Sequence, residues 1–449
     1  MRRRRLALLA AIAAMVVAGS GCAGVGGRGG GGTQVVVAMV ANPQMQDLEK
    51  LSGEFTRLHP DISLKFVTLP ENELRDRVTQ DIATNAGQYD VVTVGTYEVP
   101  IWAGNGWLTR VDGLAARTPG YDVADVIPPV REALTYRGGM YAVPFYGESS
   151  FLMYRKDLFA RAGLTMPAQP TWQQVASFAA RLDDPAKKMS GICLRGLPGW
   201  GEVLAPLDTV ILTFGGRWYD EQWKAHLTDP ATVRAVKFYV DLVREHGEPG
   251  APSAGFSECL TSLSQGNSAM WYDATSAAGS LEDPTVSKVA GKIGYAPAPV
   301  VDTKRSGWLW AWSLASPTTS REKAAAWTFM SWASSREYIR LVGEKLGWAR
   351  VLPGSRLSTY ALPQYRRAAG AFADQTLRSI EGVDVHRPGK YPQPWTGVQY
   401  VSIPEFQDLG TKVSQEISAA IAGQQSVDDA MKKAQRYARD TAADGGYGS

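Results

Sequence analysis

Residues 34–66 read QVVVAMVANPQMQDLEKLSGEFTRLHPDISLKF and predict a strand, a helix and a second strand. The β-branched run from Gln34 to Met39 is typical of a buried strand. Apolar residues then recur at helical spacing, at Met45, Leu48, Leu51, Phe55 and Leu58. Apolar and polar residues alternate over 62–66, which indicates the second strand. This order favours a parallel β–α–β unit.

The same alternation of elements continues to residue 94. Apolar residues at positions 74, 78 and 82 indicate a second helix, and the run 91–94 indicates a short buried strand. Such units build a doubly wound sheet, whose ligands bind beyond the carboxyl ends of the strands. Asn42 follows the first strand, and Thr96, Tyr97 and Glu98 follow the third. Topology alone makes these residues candidates for a binding site.

Helix signals recur later in the chain, so the α/β pattern extends well beyond its first third. Three helix starts are predicted, at Asp229-Pro230, at Thr319-x-x-Glu322 and at Ser334-x-x-Glu337. Two extended segments, 140–145 and 293–300, are candidates for crossings between two lobes.

The first 22 residues carry an export signal. Four arginines from Arg2 to Arg5 precede an apolar run from Leu6 to Val17, small residues and Cys22. This pattern predicts a signal peptide over 1–21 and not a membrane span. A cysteine directly after small residues resembles the bacterial lipobox, so we expect acylation of Cys22 and a glycine-rich tether over 22–33. An ordinary cleaved signal followed by an unmodified cysteine is the alternative.

Composition excludes several classes of function. The 449 residues are 45% hydrophobic and 20% charged, enough for a large core divided between two lobes. Four of the 47 basic residues lie in the signal peptide, and the rest nearly balance the 44 acidic residues. No basic surface for nucleic acid is therefore expected. The four histidines are scattered without ligand spacing, so we expect no metal site.

Two cysteines remain in the body of the chain, Cys193 and Cys259. In an exported protein they could form a disulfide. Their spacing in the sequence does not establish that they lie close enough to do so.

Aromatic residues are abundant, with 14 tryptophans and 18 tyrosines. Trp308, Trp310 and Trp312 alternate with small or aliphatic residues, which on a strand places three indoles on one face. Core packing is one interpretation and a stacking platform is the other. Sugars and polyols offer C–H faces to aromatic rings, while their hydroxyls need charged or forked hydrogen-bond partners.

Polar partners of that kind occur where strands end. Glu148 follows the segment 143–146, Arg195 shortly precedes Trp200, and Asp273 follows the segment 270–272. A carboxylate accepts hydrogen bonds from adjacent hydroxyls, and a guanidinium donates in a fork. Structural salt bridges are the alternative interpretation of these three residues.

Catalysis has little support in the sequence. Glu98 and Glu148 could act as the two carboxylates of a glycosidase, but sequence spacing does not give their separation. The chain lacks a Gly-x-Ser-x-Gly elbow, a phosphate-binding glycine loop and a His-Glu-x-x-His motif. We therefore expect a protein that is not an enzyme and that carries no cofactor.

Five segments occur in the order found in a known family. They are GTYEVPIW (95–102), YAVPFYGESS (141–150), ICLRG (192–196), WLWAWS (308–313) and GVQY (397–400). Over residues 33–438 the chain resembles the extracellular solute-binding proteins of bacterial ABC importers, in the group that includes maltose-binding protein. Its likeness is greatest to the mannitol/sorbitol-type polyol-binding proteins.

The resemblance implies an α/β fold of the type II periplasmic-binding-protein kind, with two lobes joined by hinge segments that close around a ligand. Each lobe would be a doubly wound sheet flanked by helices. The implied N-terminal lobe comprises 34–143 and 298–347, and the C-terminal lobe comprises 144–297 and 348–440. The ligand-binding residues carried over by position are Asn42, Tyr97, Glu98, Glu148, Arg195, Trp200, Asp273 and Gln399, with Trp308, Trp310 or Trp348 as stacking residues.

The implied function is capture of a polyol such as mannitol, sorbitol or arabitol, or of a small sugar, for delivery to ABC permease subunits. The protein would be a monomer, anchored by lipid to the outer face of the cell membrane. Three alternatives remain at this point: a carrier of a disaccharide or glycerol phosphate, a surface glycosidase, and a sugar sensor or adhesin.

Overall fold

The computed structural model describes residues 32–448 of the chain. The predicted export signal, Cys22 and the tether as far as Gly31 lie outside the described residues. Within 32–448, no helix combines the length and the apolar composition that crossing a membrane requires.

The N-terminal α/β unit is present as predicted. Its elements are β1 (Thr33–Val40), α1 (Pro43–Leu58), β2 (Ile62–Leu69), α2 (Glu71–Ala83) and β3 (Val91–Val94). Strand β1 pairs in parallel with both β2 and β3. Helix α1 begins where it does because Asn42 Oδ1 accepts a hydrogen bond of 3.0 Å from the Met45 N–H. Leu58 alone departs from the predicted apolar stripe, since it is 52% exposed.

The other strands build one large and one small sheet, with a short hairpin beside them. These strands are β4 (Thr135–Tyr136), β5 (Gly139–Met140), β6 (Val143–Glu148), β7 (Ser150–Arg155), β8 (Met270–Ala274), β9 (Ile293–Pro297) and β10 (Trp310–Ala315). The large sheet has the order β2-β1-β3-β10-β6, with β10 antiparallel to β3 and β6. The small sheet has the order β8-β7-β9, and both of its pairings are antiparallel.

Helices cover both sheets and form the C-terminal region. They are α3 (Glu98–Gly104), α4 (Asp112–Arg117), α5 (Pro128–Ala133), α6 (Lys156–Arg161), α7 (Trp172–Leu182), α8 (Leu204–Thr213), α9 (Pro230–His246), α10 (Phe256–Gln265), α11 (Ala278–Leu281), α12 (Lys323–Ala333), α13 (Arg336–Leu346), α14 (Leu357–Ala361), α15 (Pro363–Ala368), α16 (Ala373–Glu381), α17 (Phe406–Ile421) and α18 (Val427–Asp444). The predicted start at Asp229-Pro230 is confirmed, because α9 begins at Pro230.

The two predicted capping boxes are wrong in detail. Helix α12 begins four residues after Thr319, and its N-cap makes no side-chain hydrogen bond. Helix α13 is capped by Ser335, whose hydroxyl accepts from the Tyr338 N–H at 3.0 Å. The hydroxyl of Ser334 instead donates to the Met330 carbonyl of the preceding helix. The short connection between the two helices therefore places the cap one residue later than the pattern predicts.

The chain passes between the two sheets twice. The first passage is at Ser149, between β6 and β7, and the second is the segment 298–309, between β9 and β10. The boundary expected between residues 143 and 144 falls inside β6, which belongs to the large sheet because it pairs with β10. Helix α12 packs against β1 and β6, whereas α17 and α18 pack against α9. The C-terminal helices thus join the part of the molecule that holds the small sheet.

A disulfide connects Cys193 to Cys259, with 5.5 Å between their Cα atoms. Closing a loop over a sequence separation of 66 residues stabilises the fold by about 4 kcal/mol in the chain-entropy description. The bridge ties the segment that leads to Arg195 to helix α10. Both elements form part of the cavity described next.

Candidate ligand-binding site

A cavity of about 250 Å³ lies between the two sheets. The N-terminal lobe contributes the loop after β1, the start of α2, and strands β6 and β10 to its wall. The segment 195–205, the start of α10 and the turn after β8 form the opposite wall. Six predicted site residues line this cavity: Asn42, Glu148, Arg195, Trp200, Trp310 and Gln399.

Three tryptophans and one arginine form an aromatic wall. The guanidinium carbon of Arg75 lies 4.0 Å from the ring centroid of Trp200, 5.1 Å from that of Trp310 and 5.2 Å from that of Trp312. Glu71 accepts from Arg75 at 2.9 Å, and Glu98 accepts from its other terminal nitrogen. The guanidinium is therefore held between carboxylates and indole faces, a geometry that favours cation–π attraction.

Strand β10 supplies two of the three alternating tryptophans to this wall. Trp310 and Trp312 line the cavity, but β10 begins at Trp310, so Trp308 lies before the strand. The ring of Trp310 lies directly over the backbone of Gly95, where any Cβ would overlap the indole. Glycine at position 95 therefore leaves the space that the Trp310 ring occupies.

A buried ion pair with Asp273 holds Arg195 in place. Asp273 accepts from Nε of Arg195 at 2.7 Å and from a terminal nitrogen at 2.5 Å, a bidentate pair. The second terminal nitrogen donates to the Gly201 carbonyl at 2.8 Å and to Glu202 at 3.3 Å. Burial alone would lower the pKa of Arg195, but the carboxylates of Asp273 and Glu202 raise it further than burial lowers it. Arg195 therefore stays charged.

Glu148 is a buried acid at the end of β6. Its carboxylate accepts a hydrogen bond of 2.5 Å from the Ser276 hydroxyl, which comes from the opposite wall. Burial raises the pKa of Glu148 to about 8, and the negative charges of Asp273 and Glu71 act in the same direction. Ser276 and Arg195 oppose this rise without cancelling it. Burial likewise raises the pKa of the neighbouring Glu202, to about 7.

Asn42 has two structural tasks at the cavity wall. Its Oδ1 caps α1, and its Nδ2 donates to the Tyr146 hydroxyl at 2.8 Å. Topology predicted that Asn42, at the end of a strand, belongs to a binding site, and Asn42 does line the cavity. Tyr146, fixed by Asn42, places a phenolic oxygen on the same wall.

Two cavity residues carry buried polar atoms that have no hydrogen-bond partner within residues 32–448. They are Gln399, through Oε1, and Trp200, through Nε1. A buried unsatisfied acceptor or donor costs free energy unless a ligand or water completes it. One acceptor and one donor are therefore available to a bound polar molecule.

The cavity's two walls touch at its edge. Asn72 donates to the Pro198 carbonyl at 3.0 Å, and Gln44 donates to the Ser276 carbonyl at 3.0 Å. The backbone of Gly201 approaches Glu71 so closely that a Cβ there would overlap its carboxylate. The first and third contacts connect α2 to the loop 197–201, and the second connects α1 to the turn after β8. The two lobes are therefore in contact at the rim of the cleft.

Five predicted site residues do not line the cavity. Tyr97 packs its ring on Trp200 at 4.9 Å between centroids, while its hydroxyl donates to the Ile403 carbonyl. Glu98 is bonded through both oxygens, to Arg75 and to the Gly95 N–H. Asp273 has no exposed surface. The remaining two are tryptophans, with Trp308 packed on Tyr272 and Trp348 packed on Gly343.

Other cavity residues were not predicted from the sequence. They are chiefly Glu71, Arg75, Tyr146, Glu202 and Ser276. The i,i+4 pair of Glu71 and Arg75 directly follows β2, so attention to the end of that strand would have found it. Glu202 and Ser276 follow no strand-end pattern that marks them as polar wall residues.

A grouping suited to a metal occurs once among the described residues, at Cys193, Glu248 and Cys259. The two sulfur atoms are joined to each other, so they do not offer thiolates.

The two acids of the glycosidase hypothesis do not face the same space. Glu98 is bonded to Arg75 and does not line the cavity, whereas Glu148 does.

The family profile described as bacterial extracellular solute-binding protein matches residues 42–339. The chain belongs to this family. Membership agrees with the cleft between two lobes and implies that this solute-binding protein is exported.

Relatives of known specificity cover nearly the whole of this solute-binding protein. The mannitol-binding protein of Pseudomonas aeruginosa is 46% identical over 403 residues, which are 90% of this chain and 91% of the relative. A solved ABC transporter solute-binding protein from Agrobacterium vitis S4, with bound D-mannitol, is 48% identical with a TM-score of 0.91, covering 92% of this chain and 99% of that one. Another solved solute-binding protein, from Agrobacterium radiobacter K84 in complex with ribitol, is 25% identical with a TM-score of 0.80. The match covers 91% of this chain and 99% of that one. These similarities confirm the predicted two-lobed type II fold.

Proposed function

We propose that this protein captures an acyclic polyol, with mannitol as the first candidate, and delivers it to an ABC permease. The observation that carries the proposal is the cavity chemistry. Carboxylates, a fixed guanidinium and unsatisfied polar atoms at Gln399 and Trp200 surround a small space that is walled by indole rings. A polyol supplies hydroxyls for the polar groups and C–H surface for the rings. The mannitol-binding relatives support the same class of ligand.

The proposal predicts a ligand-dependent rise in the melting temperature. The purified exported protein would be screened by thermal shift against mannitol, sorbitol, arabitol, ribitol, glucose, maltose and glycerol 3-phosphate. A ligand present at 100 times its dissociation constant stabilises the native state by about 2.7 kcal/mol. We expect the largest rise with a hexitol. A rise with maltose or glycerol phosphate alone would refute the polyol assignment, and no rise with any compound would refute capture of small carbohydrates.

Delivery to a permease distinguishes an importer from a sensor or an adhesin. Loss of polyol uptake after deletion of the gene is expected of an importer, whereas normal uptake would support the other two classes. Incubation with oligosaccharides should release no product, because Glu98, the hypothesised partner of Glu148 in a glycosidase pair, is bonded to Arg75 and to the Gly95 N–H and does not line the cavity.

The anchor is the second part of the proposal. Cys22 follows an export signal and precedes a glycine-rich tether, which would hold the lobes beside the permease. Replacing Cys22 with serine should move the protein from the membrane fraction to the soluble exported fraction, without changing its ligand affinity. Immunoblotting of the two fractions tests this. If Cys22→Ser stays in the membrane fraction, the lipid anchor is excluded.

A further inference from the structure

Buried acids outnumber buried bases around the cavity. The buried carboxyl groups belong to Glu98, Glu148, Glu202 and Asp273, beside the partly buried Glu71, and the buried guanidinium groups belong to Arg75 and Arg195. Arg75 is shared by Glu71 and Glu98, and Arg195 is shared by Asp273 and Glu202. Both cations are therefore already neutralised by carboxylates before a ligand enters.

Glu148 is the acid in this group that forms no ion pair within residues 32–448. Its hydrogen-bond donor is the neutral hydroxyl of Ser276. The charged groups that influence it are Arg195 and Asp273 from the C-terminal lobe and Glu71 from α2. Burying a carboxylate without a cationic partner is costly. The raised pKa of Glu148 agrees with this cost. A positive group placed in the cavity would lower this free-energy cost by pairing with the Glu148 carboxylate.

We propose that the cleft also accepts cationic polyols, namely 1-amino-1-deoxyalditols, with the terminal ammonium group paired to Glu148. This inference rests on the proposed binding of polyols. A terminal ammonium group is similar in size to the hydroxyl that it replaces, so the remaining hydroxyls keep their positions. It donates up to three hydrogen bonds and adds charge to the contact with a carboxylate.

The same arrangement disfavours anionic polyols. An aldonate or a polyol phosphate would bring its negative charge beside Glu148, Glu71 and Glu202. The guanidinium groups of Arg75 and Arg195 would have to leave carboxylates to compensate it. Like charges in a buried site are strongly unfavourable. We therefore expect the order of affinity to be amino-alditol and neutral alditol first, and aldonate last.

Calorimetric titration of the purified exported protein tests the inference with three ligands, D-mannitol, 1-amino-1-deoxy-D-mannitol and D-mannonate. The wild-type protein should bind the first two and give no measurable binding of mannonate. Glu148→Gln should weaken the amino-alditol on the order of 30-fold or more, because it leaves the ammonium without its carboxylate. Mannitol should weaken by a smaller factor, about tenfold at most, since one neutral hydrogen bond is changed.

Glu202→Gln is the matched control, because it removes the same charge from a cavity carboxylate that Arg195 already pairs. It should change the affinities for mannitol and the amino-alditol by the same factor. Binding of mannitol without the amino-alditol would overturn this inference and leave the proposed function intact. Equal weakening of both ligands in Glu148→Gln would overturn the role of Glu148. Absence of binding by both would overturn the proposed function, and this inference with it.

Discussion

Replacing Arg195 with alanine should lower the free energy of unfolding by about 3–5 kcal/mol and abolish ligand binding. Asp273 has no exposed surface, and Arg195 is the cation that pairs with it in bidentate geometry. The substitution would leave that carboxylate buried with two neutral donors, the Trp271 indole N–H and the Ala274 backbone N–H. Urea denaturation followed by circular dichroism measures the change.

Two further variants make this first prediction specific. Arg195→Lys keeps the charge but loses the planar fork, so its stability should lie between those of the wild type and Arg195→Ala. Arg57→Ala is the control on the surface, since Arg57 is 69% exposed and pairs with Glu54 within one helix. It should leave the unfolding transition unchanged. A transition of Arg195→Ala that coincides with the wild type would show that the buried pair does not hold the site.

Truncating Trp200 to alanine should weaken mannitol binding by about 2–4 kcal/mol, the range of a central aromatic anchor. Trp200 belongs to the loop that touches α2, and its ring packs against Arg75, Tyr97 and Trp310 of the other lobe. Its removal would take away a wall of the cavity and part of the contact that closes the cleft. Calorimetric titration with mannitol measures the loss.

Trp200→Phe separates the ring from its polar atom. Phenylalanine keeps an aromatic face but lacks the indole N–H, which has no protein partner within residues 32–448. If this N–H donates to the ligand, the affinity should fall by about 0.5–1.5 kcal/mol. Trp332→Ala removes an indole that packs on Phe55, away from the cavity, and should leave the affinity unchanged. Equal affinities of Trp200→Ala and the wild type would contradict the cavity assignment.

The prediction that residues after strand ends line the cavity holds for Asn42 but not for Tyr97 and Glu98. Asn42 lies at the cavity because it directly follows β1, and the chain has no room to turn away before α1 begins. Tyr97 and Glu98 also follow a strand, but α3 begins at Glu98. The helix turns their side chains toward a tyrosine–tryptophan cluster and toward Arg75. Local topology therefore predicts an edge of the sheet and not the direction of each side chain.

The polar candidates Arg195 and Asp273 show the same limit over a longer range. Both were predicted as ligand contacts, yet Asp273 lies behind Arg195 and holds it in place. They are separated by 78 residues in the sequence. A pattern of residues does not reveal which member of a salt bridge faces the ligand. That depends on the depth of each backbone in the packed lobe.

The sequence by itself determined the first parallel unit, predicted the export signal, and through its resemblance predicted the two-lobed fold and polyols as the proposed ligands. These features depend on local periodicity and on blocks of residues that are contiguous in the chain. Only the tertiary structure decided that Cys193 reaches Cys259, that Arg75 lies among three tryptophans, and that Glu148 faces the cavity without a cation. Each of these depends on contacts between elements distant in the sequence, which packing alone brings together.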